Sequence, residues 1–130
     1  PDYKAIIKGL KNDKKVMLNT KVFLATLKKA ILVAKNNKAA KNGGVFDFNE
    51  AGLTVKASNE FTEFREKIDT VQIGENLKIS LNIKFLIDYL SKSKDSLTIM
   101  EMSNERNAVL VTGESGNKYA YLLMPLALRE

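Results

Sequence analysis

The chain has 130 residues, 45% of them hydrophobic and 28% charged, which is typical of a globular domain and not of a disordered segment. It contains no cysteine and no histidine, which excludes disulfides, zinc–thiolate sites, imidazole metal ligands and Ser-His-Asp catalysis. Lys and Arg (21) outnumber Asp and Glu (15), and the net charge of +6 favours a polyanionic partner.

The first half of the chain predicts a strand, a helix and a hairpin. Residues 16–18 are apolar and predict a short strand, and residues 19–20 (Asn-Thr) are suited to a helix N-cap. Apolar residues recur with helical spacing over residues 21–35. Alternation on both sides of a turn predicts a hairpin over residues 45–57, and residues 60–73 predict one further strand.

The second half repeats this order. Residues 77–81 predict a strand, Asn82 an N-cap, and residues 84–90 an amphipathic helix. Residues 97–112 predict a second hairpin. Residues 119–124 predict a final strand, which ends before a proline that cannot donate to a sheet ladder.

The two halves also share a short sequence match. Residues 18–21 (LNTK) align with residues 81–84 (LNIK) at an offset of 63 positions, and the same element order follows in each half. We interpret this as an internal duplication, with pseudo-repeats at about 14–74 and 75–126. The predicted fold class is therefore α+β, with two helices side by side on antiparallel sheets.

Lysines form the main candidate for a binding surface. Lys21, Lys28 and Lys35 are seven residues apart and form one stripe on the first helix, and Lys84 is equivalent on the second. Such lysines attract phosphates without reading bases. The alternative is an ordinary solvated face, which Asp88 supports because it could pair with Lys84 one turn away.

Two apolar features allow either a structural or a binding role. Leu32 falls within the lysine stripe beside Ile31, and it is either a solitary exposed leucine or a contact with another subunit. Leu122 and Met124 can share one face of the last strand. They either complete the sheet or line a groove for partner peptides.

Other classes of site are less favoured. The aromatic residues fall mostly on predicted core faces and not on an exposed stacking platform. A group of carboxylates could serve a two-metal nuclease, but a solvated or partner-facing strand is favoured because cations interrupt the group. These carboxylates are Asp47, Glu50, Glu60, Glu63, Glu66 and Asp69.

Several segments resemble one family over essentially the whole chain. They are residues 1–3 (PDY), 29–32 (KAIL), 48–59 (FNEAGLTVKASN), 77–90 (LKISLNIKFLIDYL) and 121–126 (YLLMPL). Together they are similar to the third, C-terminal domain of bacterial sliding clamps, the beta subunits of DNA polymerase III. The resemblance implies the DNA clamp fold, in which two subunits of three domains each form a homodimeric ring around duplex DNA, with helices lining the hole. It implies a processivity factor without catalysis, cofactor or metal, acting in the bacterial cytoplasm at the nucleoid.

The resemblance favours the functional role for the lysine stripe, and it places two further sets of contact residues. The DNA-facing residues are Lys21, Lys28, Lys35 and Lys84. A pocket for short motifs of polymerase III subunits, the clamp loader and repair proteins maps onto Pro1, Ile6, Arg106, Ala108, Leu122, Met124, Pro125 and Leu126. The ring interface maps onto Ile31, Leu32, Glu60, Glu63 and Glu66.

Some positions depart from the family pattern. Ala5 and Ala127 stand where basic residues are usual, Lys8 replaces a usual proline, and residues 128–130 extend the tail. Arg65 and Lys67 dilute the acidic edge strand. These departures affect the charged rim of the pocket and the ion pairs of the ring interface, and not the fold. The start at Pro1 predicts a domain from a longer chain whose preceding clamp domains are absent here. The alternative function is a free-standing basic adaptor domain that binds nucleic acid or acidic proteins.

Overall fold

Strands and helices alternate along the described part of the chain, residues 12–127 of this computed structural model, with only the backbone described at residues 116–119. Within that range there are nine strands and two helices. They are β1 (Lys14–Asn19), α1 (Thr20–Ala34), β2 (Gly43–Asn49), β3 (Gly52–Ser58), β4 (Glu63–Ile68), β5 (Val71–Ile73), β6 (Leu77–Asn82), α2 (Ile83–Lys92), β7 (Leu97–Met102), β8 (Val109–Gly113) and β9 (Gly116–Leu123).

The strands form two antiparallel sheets, and the first strand of each half of the chain lies in the sheet that holds the hairpin of the other half. One sheet has the order β5-β1-β7-β8-β9, and the other has the order β4-β3-β2-β6. Strand β1 therefore pairs with the hairpin of the second half, and β6 pairs with the hairpin of the first half. The predicted fold class, α+β with two helices on antiparallel sheets, is confirmed.

Each helix is capped by the asparagine that ends the strand before it. The Asn19 side chain accepts a hydrogen bond from the Val22 backbone N–H at 3.0 Å, and the Asn82 side chain accepts one from the Phe85 N–H at 3.1 Å. Both bonds satisfy a donor that the helix itself leaves unpaired. Thr20 is instead the first residue of α1, so the N-cap of that helix is Asn19.

The core lies between the helices and the sheets. Phe23 of α1 meets Phe46 of β2 edge to face, with ring centroids 6.3 Å apart, and both rings are fully buried. Leu27 of α1 and Leu86 of α2 are buried as well, and the two helices are in contact. Burial of each such side chain contributes roughly 1.5–3 kcal/mol, which fixes the helices on the sheets.

Two predicted boundaries were wrong. The segment 60–73 holds two strands, because the chain leaves the four-stranded sheet after Ile68, and β5 then pairs with β1 in the five-stranded sheet. The last strand begins at Gly116 and not at 119, because the preceding turn is short. The turn is held by Ser115, whose hydroxyl donates to Asp95 at 2.8 Å, and by Glu114, which accepts from the Ser96 N–H at 3.0 Å.

Neither helix in the described part of the chain has the length and apolar content that a membrane crossing demands.

Candidate nucleic-acid and partner interfaces

The lysine stripe is exposed along α1. Lys21, Lys28 and Lys35 are all exposed, whereas Leu27 and Ala30 on the other side of the helix are buried. Lys35 is the C-cap residue and keeps a helical backbone (φ −63°, ψ −21°), so the stripe runs to the end of the helix. Successive lysines differ in direction by only about 20°. They therefore present their ammonium groups along one line.

Lys84 has the matching position on the second helix. It is the second residue of α2, as Lys21 is of α1, and it is exposed. Within residues 12–127 it forms no ion pair with Asp88, so the local pairing expected of an ordinary solvated face is missing. None of the four lysines pairs with a described carboxylate. Adjacent helices thus carry four cations available to phosphates.

Lys29 differs from its neighbour Lys28, because it points to the sheet edge and is paired. Its Nζ lies 2.7 Å from Glu66 Oε2, and the Thr26 hydroxyl donates to Glu66 Oε1 at 3.3 Å. Glu66 lies opposite the buried Val55 in the sheet register, so its side chain is on the inner face of β4. The Glu66 carboxylate is thus bound within the domain by Lys29 and Thr26.

The remaining residues predicted for the ring interface lie near the end of α1 and the start of β4. Ile31 is half-buried and Leu32 is 61% exposed. Glu60 precedes β4 and forms an ion pair of 2.8 Å with Lys38. Glu63 is exposed at the first position of β4. Two of the three predicted interface carboxylates therefore already have cationic partners within the domain.

Part of the predicted peptide pocket comes together at the end of the chain. Arg106, Pro125 and Leu126 line a shallow cavity of about 450 Å³, together with Glu105 and Ala127. Met124 is 64% exposed, whereas Leu122 and Ala108 are half-buried. The other two predicted members, Pro1 and Ile6, lie outside the described residues, as do Ala5, Lys8 and the tail 128–130.

The chain after Pro125 links the two sheets. The Leu126 N–H donates to the Ser80 carbonyl at 2.8 Å, so the segment that follows β9 pairs with β6 of the other sheet. The Leu126 side chain lies against Gly43, where an added Cβ would be 3.0 Å from Leu126 Cδ1. Leu126 therefore has a structural role besides any role in a pocket.

Two exposed aromatic rings were missed by the sequence prediction. Phe85 is 46% exposed at the first turn of α2, one turn before Tyr89. The Tyr89 ring stacks on Tyr121 of β9 with centroids 5.8 Å apart, so Phe85 lies on the side of α2 that faces β9. The sequence did contain a signal for the exposure of Phe85, because its position on α2 falls outside the spacing of the residues that this helix buries in the core. The other ring, Phe61, lies in the turn before β4 and is 92% exposed.

Few titratable groups among the described residues have a pKa that is shifted from its usual value. Burial raises the pKa of the Tyr89 phenol above its usual 10.0, and the nearby Asp95 carboxylate raises it further. The hydrogen bond from Lys14 lowers the pKa of Asp13. No group of three or more acidic side chains converges as a metal site within residues 12–127.

Comparisons with known proteins converge on one family. Residues 10–127 match the family described as "DNA polymerase III beta subunit, C-terminal domain". The beta sliding clamp of Streptomyces coelicolor is 26% identical over 98% of the chain, and that of Buchnera aphidicola is 23% identical over 97%. The match takes up 35% and 34% of those proteins, so the chain spans about a third of the length of these curated relatives.

Solved structures share the fold. A DNA polymerase sliding clamp of Pseudomonas aeruginosa superposes with a TM-score of 0.88 at 23% identity, over 98% of this chain and 34% of that one. The DNA polymerase III beta subunit of Thermotoga maritima gives a TM-score of 0.88 at 23% identity, over 99% and 34%. A further Pseudomonas aeruginosa clamp was solved bound to griselimycin (TM-score 0.87, 24% identity, 98% and 34% coverage).

Proposed function

The chain belongs to the family formed by the C-terminal domains of DNA polymerase III beta subunits, and we propose that it is one domain of a ring-shaped replication processivity factor that encircles duplex DNA. The observation that carries the proposal is a set of four exposed lysines on two adjacent helices, none of which pairs with a carboxylate among the described residues: Lys21, Lys28, Lys35 and Lys84. The coverage of about a third of each relative supports two preceding domains in the complete protein.

The lysine stripe suits a ring that moves along DNA. Long, flexible ammonium side chains contact phosphates and do not discriminate between bases. Their electrostatic attraction holds the duplex near the helices without fixing a register, so the ring can slide while polymerase stays tethered. The domain itself performs no chemistry in this mechanism, and catalysis belongs to the partner polymerase. The ring acts on DNA in the bacterial cytoplasm.

We also propose that the domain consists of two pseudo-repeats, 14–74 and 75–126. The equivalent caps at Asn19 and Asn82 support this, as does the sheet register, which pairs Asn19 with Leu97 and Asn82 with Gly43. A repeated unit presents an equivalent helix twice. The free-standing adaptor is not favoured, because both curated relatives are beta sliding clamps.

A second contact surface in this proposal is a pocket for short partner motifs. Its predicted members are Pro1, Ile6, Arg106, Ala108, Leu122, Met124, Pro125 and Leu126. The exposed Met124 and the cavity beside Pro125 support it, because a flexible thioether adapts to varied apolar peptides. The partners would be polymerase III subunits, the clamp loader and repair proteins, and a preceding domain would complete the pocket.

The ring proposal is tested by topology. The full-length protein, loaded by a clamp loader onto nicked circular DNA, should stay bound through gel filtration and should be lost once the circle is cut. Blocking both ends of the linear DNA should restore retention. Equal retention on open linear DNA, or tight sequence-selective binding to a short duplex, would contradict encirclement.

The pocket proposal is tested by titrating a clamp-binding peptide of apolar and acidic residues while following the Met124 methyl signal by NMR. We expect saturable shifts that Leu122→Asp abolishes. Val71→Asp, at an exposed position on the distant strand β5, serves as the control and should leave the titration unchanged. Absence of shifts at Met124 in the full-length protein would contradict this location of the pocket.

A further inference from the structure

Strand β5 is the outer edge of the five-stranded sheet. It pairs with β1 on one side, and no strand among residues 12–127 pairs with it on the other. Its sequence, VQI, contains neither the proline nor the lysine with which natural edge strands commonly block the addition of a further strand. The free N–H and C=O groups of β5 can therefore pair with an extended segment of another chain.

The side chains at this edge are apolar and exposed. Val71 is 58% exposed and Ile73 is 62% exposed. Both lie on the outer face of the sheet, because the buried Val16 of β1 is placed between their two partners in the register. Val71 lies opposite Met17, which in turn lies opposite Ile99 of β7, and both of these side chains are half-buried. An apolar strip thus runs from the edge onto the outer face, as is typical of a binding surface.

The turn after β5 holds the strand in place. Gly74 has a φ of +102°, and an added Cβ would lie 2.9 Å from the Asp13 carbonyl oxygen, so the turn packs closely against the start of β1. The Gln72 amide donates to Asn76 Oδ1 across the same turn, at 3.3 Å. Gln72 Oε1 and Thr70 Oγ1 are buried and have no hydrogen-bond partner among residues 12–127. The edge is therefore fixed in position and keeps hydrogen-bonding capacity that the domain does not use.

Carboxylates flank the apolar edge at both ends. Asp69 precedes β5 and Glu75 follows it, and both are exposed. Neither forms an ion pair with a cation in the described part of the chain. Lys15, the neighbour of Ile73 on β1, has Glu101 directly opposite it on β7, so its charge is balanced within the sheet. The charge that this edge presents to a partner is therefore negative.

The other half of the domain has a counterpart of β5. Strand β5 pairs with β1 at Met17, and the segment after β9 pairs with β6 at Ser80 through Leu126. Met17 and Ser80 are 63 positions apart, which is the offset between the two halves. The segment at Leu126 lines the cavity of the proposed pocket. The equivalent position in the first half thus carries an apolar surface of its own.

We propose that β5 is a second docking surface of this domain, for an extended segment of a partner protein. In that segment two apolar residues alternate with polar ones and cover Val71 and Ile73, while basic residues at the ends meet Asp69 and Glu75. A second copy of the domain does not fit, because antiparallel pairing of two β5 strands about Gln72 places the flanking carboxylates of the copies against each other. The proposal goes beyond the proposed function, because it does not require a ring.

The apolar contact is tested with a fluorophore-labelled synthetic peptide, KTVTITK, titrated with the full-length protein. Fluorescence anisotropy should show saturable binding. Val71→Ser should weaken that binding roughly fivefold or more, because the valine no longer contributes apolar burial. Val22→Ser is the matched control, since Val22 is 48% exposed on α1 and away from the outer face of the sheet, and it should leave the affinity unchanged. Absence of saturable binding, or equal effects of the two variants, would overturn the proposal.

The charge is tested with a second peptide, ETVTITE, which should bind the unaltered protein several-fold more weakly than KTVTITK. Asp69→Lys should weaken binding of KTVTITK about threefold or more and strengthen binding of ETVTITE, because the charge at that end of the edge is reversed. Asp88→Lys, at an exposed position on α2, has the same charge change and should leave both affinities unaltered. Equal binding of the two peptides, or equal effects of the two variants, would contradict the basic partner.

Sedimentation of the full-length protein without peptide tests the other occupant. We expect no assembly that depends on β5. An assembly that Val71→Ser abolishes would show that a second copy occupies this edge, and the proposal would fail. None of these outcomes bears on the proposed function, because retention on circular DNA is measured separately.

Discussion

Asn19 and Asn82 make the same hydrogen bond at the start of the two helices, 63 residues apart. Each side-chain oxygen accepts from the backbone N–H three residues further on, at 3.0 Å from Val22 and 3.1 Å from Phe85. Both asparagines also end a strand that pairs with the hairpin of the other half. The two caps therefore lie where a strand of one half of the domain has joined the sheet of the other half.

Removing either cap should destabilise the domain by a similar amount. We expect Asn19→Ala and Asn82→Ala each to lower the free energy of unfolding by about 1 kcal/mol, because one helix N–H loses its acceptor. Asp at either position can accept the same bond and should retain most of the stability. Urea unfolding of the isolated domain measures this. A large loss at one site and none at the other would contradict their equivalence.

Much of the fold was predictable because it depends on local pattern. The helical spacing of apolar residues in α1 and the strand–Asn–helix order gave both helices to within about two residues. The hairpin of β2 and β3 followed from alternation around a turn. Each of these signals lies within a few residues of the element that it predicts, so a single sequence contains it.

The features that the sequence missed depend on contacts between distant segments. Strand β5 has only three residues, and it exists because β1, more than fifty residues earlier, accepts it. The inward direction of Glu66 depends on the register between β3 and β4, since a shift of one residue would turn it outward. The exposure of Phe61 likewise depends on the turn that Asn59 forms. None of these follows from hydrophobic periodicity.

Gly52 should tolerate no side chain. Its φ of +128° lies in a region that other residues rarely adopt, and an added Cβ would collide with the backbone carbonyl oxygen of Ile68 on β4. We expect the backbone strain in Gly52→Ala to lower the free energy of unfolding by about 1–3 kcal/mol, and the collision with Ile68 adds to this loss. Thermal unfolding measures this. Ala51→Ser, at the exposed neighbouring position of the same turn, should change stability little, and an equal loss there would contradict the assignment to Gly52.

Tyr89 should make the domain less stable at alkaline pH. Burial, followed by the Asp95 carboxylate, raises the pKa of the folded-state phenol above 10.0, so the unfolded chain releases this proton first. The unfolding free energy should therefore fall as the pH rises through 10.0 and continue to fall until the folded-state pKa is passed. Tyr89→Phe keeps the ring stack on Tyr121 but has no proton to lose. Its stability relative to the unaltered protein should rise over that pH range in urea unfolding, and a constant difference would contradict the shift.

Lys28 and Lys29 are neighbours on α1 and should differ in their effect on DNA binding. Lys28 belongs to the exposed lysine stripe, whereas Lys29 forms an ion pair with Glu66 at the sheet edge. If the stripe faces phosphates, Lys28→Ala in the full-length protein should weaken duplex binding for every sequence alike. It should also reduce the slope of log affinity against log salt by about 0.9. Lys29→Ala removes the same charge from the same helix and should leave the slope nearly unchanged. Fluorescence anisotropy across a salt series measures both variants, and equal slopes for the two would mean that net charge, and not the stripe, attracts the DNA.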